Sequence, residues 1–304
     1  MVTRPAADAG RSRNSAPNTA LGALLTMFAM LCFAGMDAIS KWLVADYAVT
    51  QMMWIRSWLF FLFAWFVVRR QGLRTAFTST RPVLQIVRSL VAVVEGAIFV
   101  LAFRYLPLAD THAVAATSPL IVIAMGVLWL GERANLARLI AVIGGFAGVL
   151  LIVRPGLRDL EWPLLLPIAG AILWALYQVL TRLCSRGDPP GTSLIWAALV
   201  ALIATSFVGP LDWRWPSATA WTLMVVIALI GAAAHYALIK ALDYAEAGAV
   251  QPYSYTLLVW ATVMGWLVFG HIPDAWTIAG AAIVVLSGLY AWYRDRSDVT
   301  SAKP

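Results

Sequence analysis

The chain has 304 residues, of which 62% are hydrophobic and only 12% charged. A soluble domain holds roughly 45–50% and 25% of these classes, so the balance excludes an ordinary globular fold and points to a polytopic membrane protein. The formal net charge of +7 does not indicate a nucleic-acid binder. Lys and Arg fall between apolar runs instead of gathering on one face, which assigns the charge to membrane topology.

From the N-terminus, residues 1–18 carry Arg, Ser and Pro without an apolar run and predict a disordered tail. The first apolar run shows no cleavage site and continues beyond the length of a signal peptide into Asp37 and Lys41, so it predicts a retained helix. Apolar segments then fall at Leu21–Leu43, Val49–Val68, Val83–Phe103, Asp110–Leu130, Leu136–Val153, Leu164–Leu183, Thr192–Phe207, Trp221–Leu242, Ala247–Phe269 and Ala275–Trp292. Each approaches the roughly 20 residues that cross a ~30 Å hydrocarbon core with the backbone hydrogen bonds satisfied inside the helix. Connections are short and punctuated by Pro and Gly, as in Arg154-Pro155-Gly156 and Gly187-Asp188-Pro189-Pro190-Gly191, which leaves no room for a soluble domain. The expected fold class is all-α integral membrane, with ten transmembrane helices.

Basic residues set the orientation, because Lys and Arg in short connections are retained in the cytoplasm. About 15 lie in the tails and even-numbered connections, among them Arg69, Arg74, Arg133, Arg182 and Arg294, against about 5 in the odd-numbered ones. Both termini are expected on the cytoplasmic side of a bacterial-type inner membrane.

The pattern also repeats. Ala113-Val114, Trp129-Leu130-Gly131-Glu132 and Gly148-Val149-Leu150 return as Ala249-Val250, Val268-Phe269-Gly270-His271 and Gly288-Leu289-Tyr290. Ala102-Phe103-Arg104-Tyr105 returns as Ala241-Leu242-Asp243-Tyr244, and Phe33, Asp37 and Lys41 align with Trp174, Gln178 and Arg182. Two units of five crossings, an odd number, must lie in opposite orientations, so the expectation is two inverted five-helix repeats over residues 19–157 and 158–293, with a cytoplasmic tail at 294–304. Such halves can exchange conformations around a midplane site, which predicts alternating access.

The same residues carry a family resemblance. Lys41 ends the first span, Arg56 lies in the second, Arg88 opens the third, and Ser118-Pro119 precedes Leu130-Gly131-Glu132-Arg133. Trp174 with Arg182 and Ala249-Val250-Gln251-Pro252-Tyr253 follow in the second half. In order and spacing this resembles the ten-helix drug/metabolite transporter superfamily, and specifically proteins with two EamA-type repeats. The chain departs from the pattern at Gly270-His271, where the family often has Gly-Glu. The resemblance implies a secondary carrier. Relatives move amino acids and their derivatives, nucleoside-like metabolites, and vitamins such as riboflavin.

The cost of an ionisable group in hydrocarbon, roughly 2.5–3.5 kcal/mol on insertion scales, selects the candidate site. Asp37 and Lys41 are four residues apart on one helix face, which suits either a structural ion pair or a gate. Arg56 is embedded beside Trp54 and is suited to a carboxylate, a phosphate or a planar ring, or to a packing pair with Asp37 or Glu95. Arg88, nearer the cytoplasmic edge, is expected to snorkel. Glu95, His112 and His235 are candidates for proton coupling, with a static interhelical hydrogen bond as the competing role.

The polar starts of the fourth and ninth spans, each containing a Pro, are expected to bend and line the pathway, with Gln251, Tyr253 and Tyr255 facing it. Trp54, Trp174, Tyr177, Gln178 and Trp260 would add an aromatic wall suited to a flat solute, whereas Trp213, Trp215, Trp221 and Trp292 are expected as interfacial belt residues. Gly144 with Gly148, and Gly280 with Gly288, mark close helix contacts within the chain or between two copies, so monomer and homodimer both stay open.

No Gly-x-x-x-x-Gly-Lys phosphate loop is present, and His112, His235 and His271 are too scattered for a metal-dependent or nucleophilic enzyme. The expected partners are a small-molecule substrate and membrane lipid, with no cofactor, no metal and no nucleic acid. The favoured solute is a planar heteroaromatic vitamin such as riboflavin, with an amino-acid-like or nucleoside-like metabolite as the alternative. A membrane enzyme or a channel is the alternative class.

Overall fold

A computed structural model describes residues 19–130, 136–153, 162–185, 187–244 and 252–301. All regular structure among them is helical: α1 (Thr19–Leu43), α2 (Val49–Val68), α3 (Leu73–Phe77), α4 (Pro82–Tyr105), α5 (Leu108–Ala115), α6 (Ser118–Leu130), α7 (Leu136–Val153), α8 (Leu165–Ser185), α9 (Pro190–Ser206), α10 (Ala218–Tyr244), α11 (Thr256–Phe269) and α12 (Ala275–Ser301). Among the described residues seven segments are long and apolar enough to cross a membrane, and Leu139–Val153 and Pro190–Ser206 are shorter apolar helices. The 17 residues of α9 span only about 25 Å at 1.5 Å per residue. Side chains such as Phe66, Phe146 and Leu286 are exposed on the outside of the bundle, where hydrocarbon and not water is the favourable neighbour.

Several elements differ from the pattern read in the sequence. The fourth apolar run is two helices, broken at Ala116 and Thr117. Pro119 has no amide hydrogen and its ring clashes with the carbonyl one turn back, so the helix cannot run through it. The Thr117 hydroxyl instead donates to the Val114 carbonyl at 2.7 Å. A turn at Tyr255, three residues after Pro252, precedes α11, with the Thr256 hydroxyl donating to the Tyr253 carbonyl at 2.6 Å. The connection after α2 carries an unforeseen short helix, α3, entered through Gly72 at φ 91°. The last helix continues to Ser301, well past the expected end at Trp292.

Packing runs mainly between the two halves of the chain. α1 lies along α10 and α4 along α8, while α2 meets α9 and α7 meets α12. The last of these brings two backbones together. A Cβ placed on Gly148 would come within 2.7 Å of the Gly280 carbonyl oxygen, and one on Gly280 within 2.6 Å of the Gly148 carbonyl oxygen. The glycines on α7 and α12 therefore make an intrachain backbone crossing.

Two polar clasps hold opposite ends of α9. At its start the Asp188 carboxylate accepts from the Ser79 hydroxyl, from the Thr80 amide at 2.7 Å and hydroxyl at 2.9 Å, and from the fully buried Gln85 side chain at 2.9 Å. Beyond its other end, Gln51 and the Arg214 backbone exchange bonds of 2.6 and 3.1 Å, and the Ser217 amide donates to the Tyr47 hydroxyl at 3.2 Å.

Burial pushes the Asp188 carboxyl up, but the donors from Gln85, Ser79 and Thr80 outweigh it and hold the group below its ordinary 3.8. A carboxyl lowered on folding contributes stability that is present above its unfolded value and lost as pH falls through the folded one. Asp188→Ala should therefore lower unfolding stability in detergent by about 2 kcal/mol at pH 7. The gap from the parent should narrow as pH falls below the ordinary 3.8 and through the lower folded value, and a gap independent of pH would refute this assignment.

Candidate functional site

One cavity lies between the halves, enclosing about 1590 Å³ of empty space with its open mouth included. Its charged and titratable wall residues are Asp37 on α1, Arg56 on α2, Arg88 and Glu95 on α4, His112 on α5 and His235 on α10. Trp174 and Tyr177 from α8 and Tyr255 at the start of α11 supply aromatic surface. Both Pro-broken regions contribute, through Ala115, Ala116, Ser118 and Pro119 on one side and Ser254, Leu257 and Leu258 on the other.

The polar pairing differs from the one suggested by spacing along α1. Asp37 does not pair with Lys41. Its carboxylate lies 3.1 Å from His112 Nε2, and that imidazole stacks on Phe99 at 6.0 Å and meets Phe103 at 5.7 Å. Lys41 instead reaches out of α1 and donates to the carbonyls of Phe103 and Leu106, both at 2.7 Å, with Phe269 beneath it at 5.7 Å. The reason is the end of α4, whose last carbonyls have no partner inside the helix and carry the negative end of its dipole. They are a better acceptor set for an ammonium on a long stem than a carboxylate that already has an imidazole.

Arg56 lies within electrostatic reach of both Glu95 and Asp37, and its Nη1 is 3.8 Å from the Met36 sulfur. Gly96 makes room for it, because a Cβ there would approach Arg56 Nη2 to 3.1 Å and the Met53 methyl carbon to 3.3 Å. Glu95 does not pair with His235, whose ring sits between Phe33 at 5.0 Å and Phe60 at 5.9 Å. The carboxylate–imidazole pair of this cavity is Asp37 with His112. Arg88 does not snorkel. It is fully buried, donates from Nη2 to the Ser193 carbonyl at 2.7 Å, and has its guanidinium 5.7 Å from the centre of the Tyr177 ring.

The aromatic expectations divide. Trp174 and Tyr177 lie 5.4 Å apart with an interplanar angle of 30°, and both line the cavity. Trp54 does not line it. One residue along a helix turns the side chain by about 100°, so Met53 and Arg56 face inward while Trp54 faces α9. Its indole donates to the Ser206 hydroxyl at 3.0 Å and meets Trp213 edge-on at 5.7 Å, within a cluster that continues to Trp215 and Trp221. Trp260 packs into the core between α1 and α10, and Gln178 and Tyr253 are likewise absent from the wall. Gln251 lies outside the described residues.

The apolar wall residues Met30, Phe60 and Phe99 and the hydroxyl of Ser89 were not foreseen in the sequence, whereas Ser118, in the polar start of the fourth span, lines the wall as expected. Only Phe99 and Phe103 left a usable signal, an aromatic pair four residues apart on α4. Among the described residues no group of three or more His, Cys, Asp or Glu is placed to hold a metal ion.

The sequence of this helical bundle matches the EamA-like transporter family over residues 20–154 and again over 161–292. The chain belongs to that family. This EamA protein is 28% identical to a riboflavin transporter of Vibrio cholerae over 88% of its own length and 91% of the relative's. It is 24% identical to an S-adenosylmethionine uptake transporter of Rickettsia conorii over 92% and 96%. A solved crystal structure superposes with a TM-score of 0.64 at 17% identity, covering 91% of this chain and 98% of the other, which shows the shared fold. The protein is thus a multi-pass membrane protein of a transporter family.

Proposed function

We propose that the protein is a ten-helix secondary carrier of the bacterial inner membrane that moves a flat, neutral vitamin, with riboflavin the leading solute, by alternating access. The observation that carries this reading is the cavity itself: a mid-bundle chamber with Trp174 and Tyr177 on one wall and ionisable groups from both halves around it. Flat aromatic surface binds a flat ring, and a few fixed polar groups orient it. The name of the Vibrio cholerae relative agrees with that chemistry.

On this reading the broken α5–α6 segment and the two shorter helices also cross, for ten crossings in units at 19–157 and 158–293. An exchange of the two units is supported by the packing, since α1 along α10 is answered by α8 along α4, and α2 against α10 by α4 against α9. The Pro breaks at Pro119 and Pro252 are answered in the same way. Such a relation lets one cavity open to either side in turn. The distribution of Lys and Arg puts both termini in the cytoplasm. Net direction follows the gradients.

Glu95, His112 and His235 are the groups through which a proton would be coupled, since each lines the same chamber. A second reading has its own support. Asp37 and Glu95 supply two carboxylates to an aromatic chamber, which also suits a cation with a heteroaromatic ring, and the Rickettsia conorii relative is named for S-adenosylmethionine.

Counterflow in proteoliposomes separates these possibilities. Vesicles preloaded with riboflavin should accumulate labelled riboflavin well above empty vesicles, with S-adenosylmethionine a poor competitor. Accumulation driven by S-adenosylmethionine alone would select the second reading, and the absence of exchange with either would remove both.

A further inference from the structure

Of the two guanidinium groups in the chamber, one has carboxylates for company and the other has none. Arg56 has Glu95 and Asp37 within electrostatic reach. Arg88 is 0% exposed and lines the cavity wall, yet its Nε and Nη1 have no hydrogen-bond partner, and among the described residues no carboxylate pairs with it. Its contacts are the Ser193 carbonyl and the face of Tyr177. The nearby Asp188 is already held by Ser79, Thr80 and Gln85. Charged donors left unpaired in a buried site are costly to keep, so the protein holds in reserve a group that a ligand can satisfy.

We propose that Arg88 is the specificity-determining residue of the carrier and that it donates hydrogen bonds to the acceptor edge of a neutral, electron-poor ring stacked on Trp174 and Tyr177. The inference rests on the flavin reading above and adds which part of the solute is recognised. A carboxylate or phosphate would satisfy the same donors, but it would enter a chamber that already holds Asp37 and Glu95, where like charges repel. A neutral ring whose edge carries a carbonyl beside a ring nitrogen satisfies the guanidinium without that repulsion. Oxidised isoalloxazine has two such edges, N1 with the C2 carbonyl and N5 with the C4 carbonyl. The ring of Tyr177, itself 7% exposed, covers the donors, and its rotation is the side-chain movement that admits the solute edge.

Binding of riboflavin, 1-deazariboflavin and 5-deazariboflavin to the detergent-purified full chain, read by flavin fluorescence, tests this. Each deaza compound replaces one ring nitrogen by C–H and leaves the ribityl chain intact. The parent protein should bind one of the two about tenfold more weakly than riboflavin, and Arg88→Gln should bind riboflavin about 10- to 100-fold more weakly while losing that discrimination. Arg88→Lys, which keeps the charge and guards against a folding defect, should also fail to discriminate. Retained discrimination in either variant, or an equal loss for all three flavins, overturns the ring-edge assignment while leaving flavin transport standing. No flavin binding by the parent overturns both.

Discussion

Gly148→Leu should destabilise the folded protein by about 3 kcal/mol, the upper end of what overpacking costs, because the atoms it meets cannot move aside. A Cβ at this position would approach the Gly280 carbonyl oxygen and a Val284 methyl carbon, both to 2.7 Å. One of these belongs to a backbone, so relief requires α7 and α12 to separate along their length. Gly35 provides the comparison within the same fold, because a Cβ there meets nothing within 4 Å. Gly35→Ala should leave stability unchanged or raise it by up to about 1 kcal/mol through helix propensity. Thermal unfolding in detergent measures both, and equal behaviour of the two sites would mean that the α7–α12 crossing does not hold the fold together.

The second large effect is on transport. Asp37→Ala should cut the transport rate about 10- to 100-fold, the worth of one close buried carboxylate–imidazole contact, with the protein still folded. The pair it removes joins α1 to α5, the short helix that ends at the break before Pro119. Without it His112 retains only its stacking on Phe99 and Phe103, and α5 loses its polar tie to the rest of the chamber. His112→Ala should produce a loss of the same size, and the double variant should be little worse than either single one, because the two side chains act as one unit. Fully additive losses in a proteoliposome exchange assay would show that they act separately.

The membrane character and nearly all of the helices were legible in the sequence, because an apolar run of bilayer length has few alternatives. A bend in the fourth run was legible too, since Pro119 removes a specific hydrogen bond, but its full division into two helices was not. The side-chain partners were much less so. The four-residue spacing of Asp37 and Lys41 says only that they are neighbours on one helix. It does not carry the positions of His112, Phe103 and Leu106, which arrive from 62 to 75 positions along the chain and take each of them away. Arg88 illustrates the same limit, because snorkelling is argued from distance along a helix, whereas the Ser193 carbonyl and Tyr177 ring that enclose it come from the other half. Trp54 was misplaced for a different reason. Trp54 is close to Arg56 in sequence, but on a helix positions two apart face different neighbours.

The interleaved packing has a consequence for how the protein is made. α1 lies along α10, α4 along α8, α2 against α9 and α7 against α12, so most of the burial that holds the first half in place is supplied by the second. A growing chain that has inserted only its first five hydrophobic segments has no finished core to collapse into, and the usual order in which an N-terminal unit folds before the rest is synthesised does not apply. Lipid can cover the waiting apolar faces, but it offers little to the polar groups of Asp37, Arg56, Arg88 and Glu95. The nascent first half therefore stays exposed to quality control until α8 to α12 emerge, and translation pauses or chaperones acting in that interval would govern how much of the protein matures.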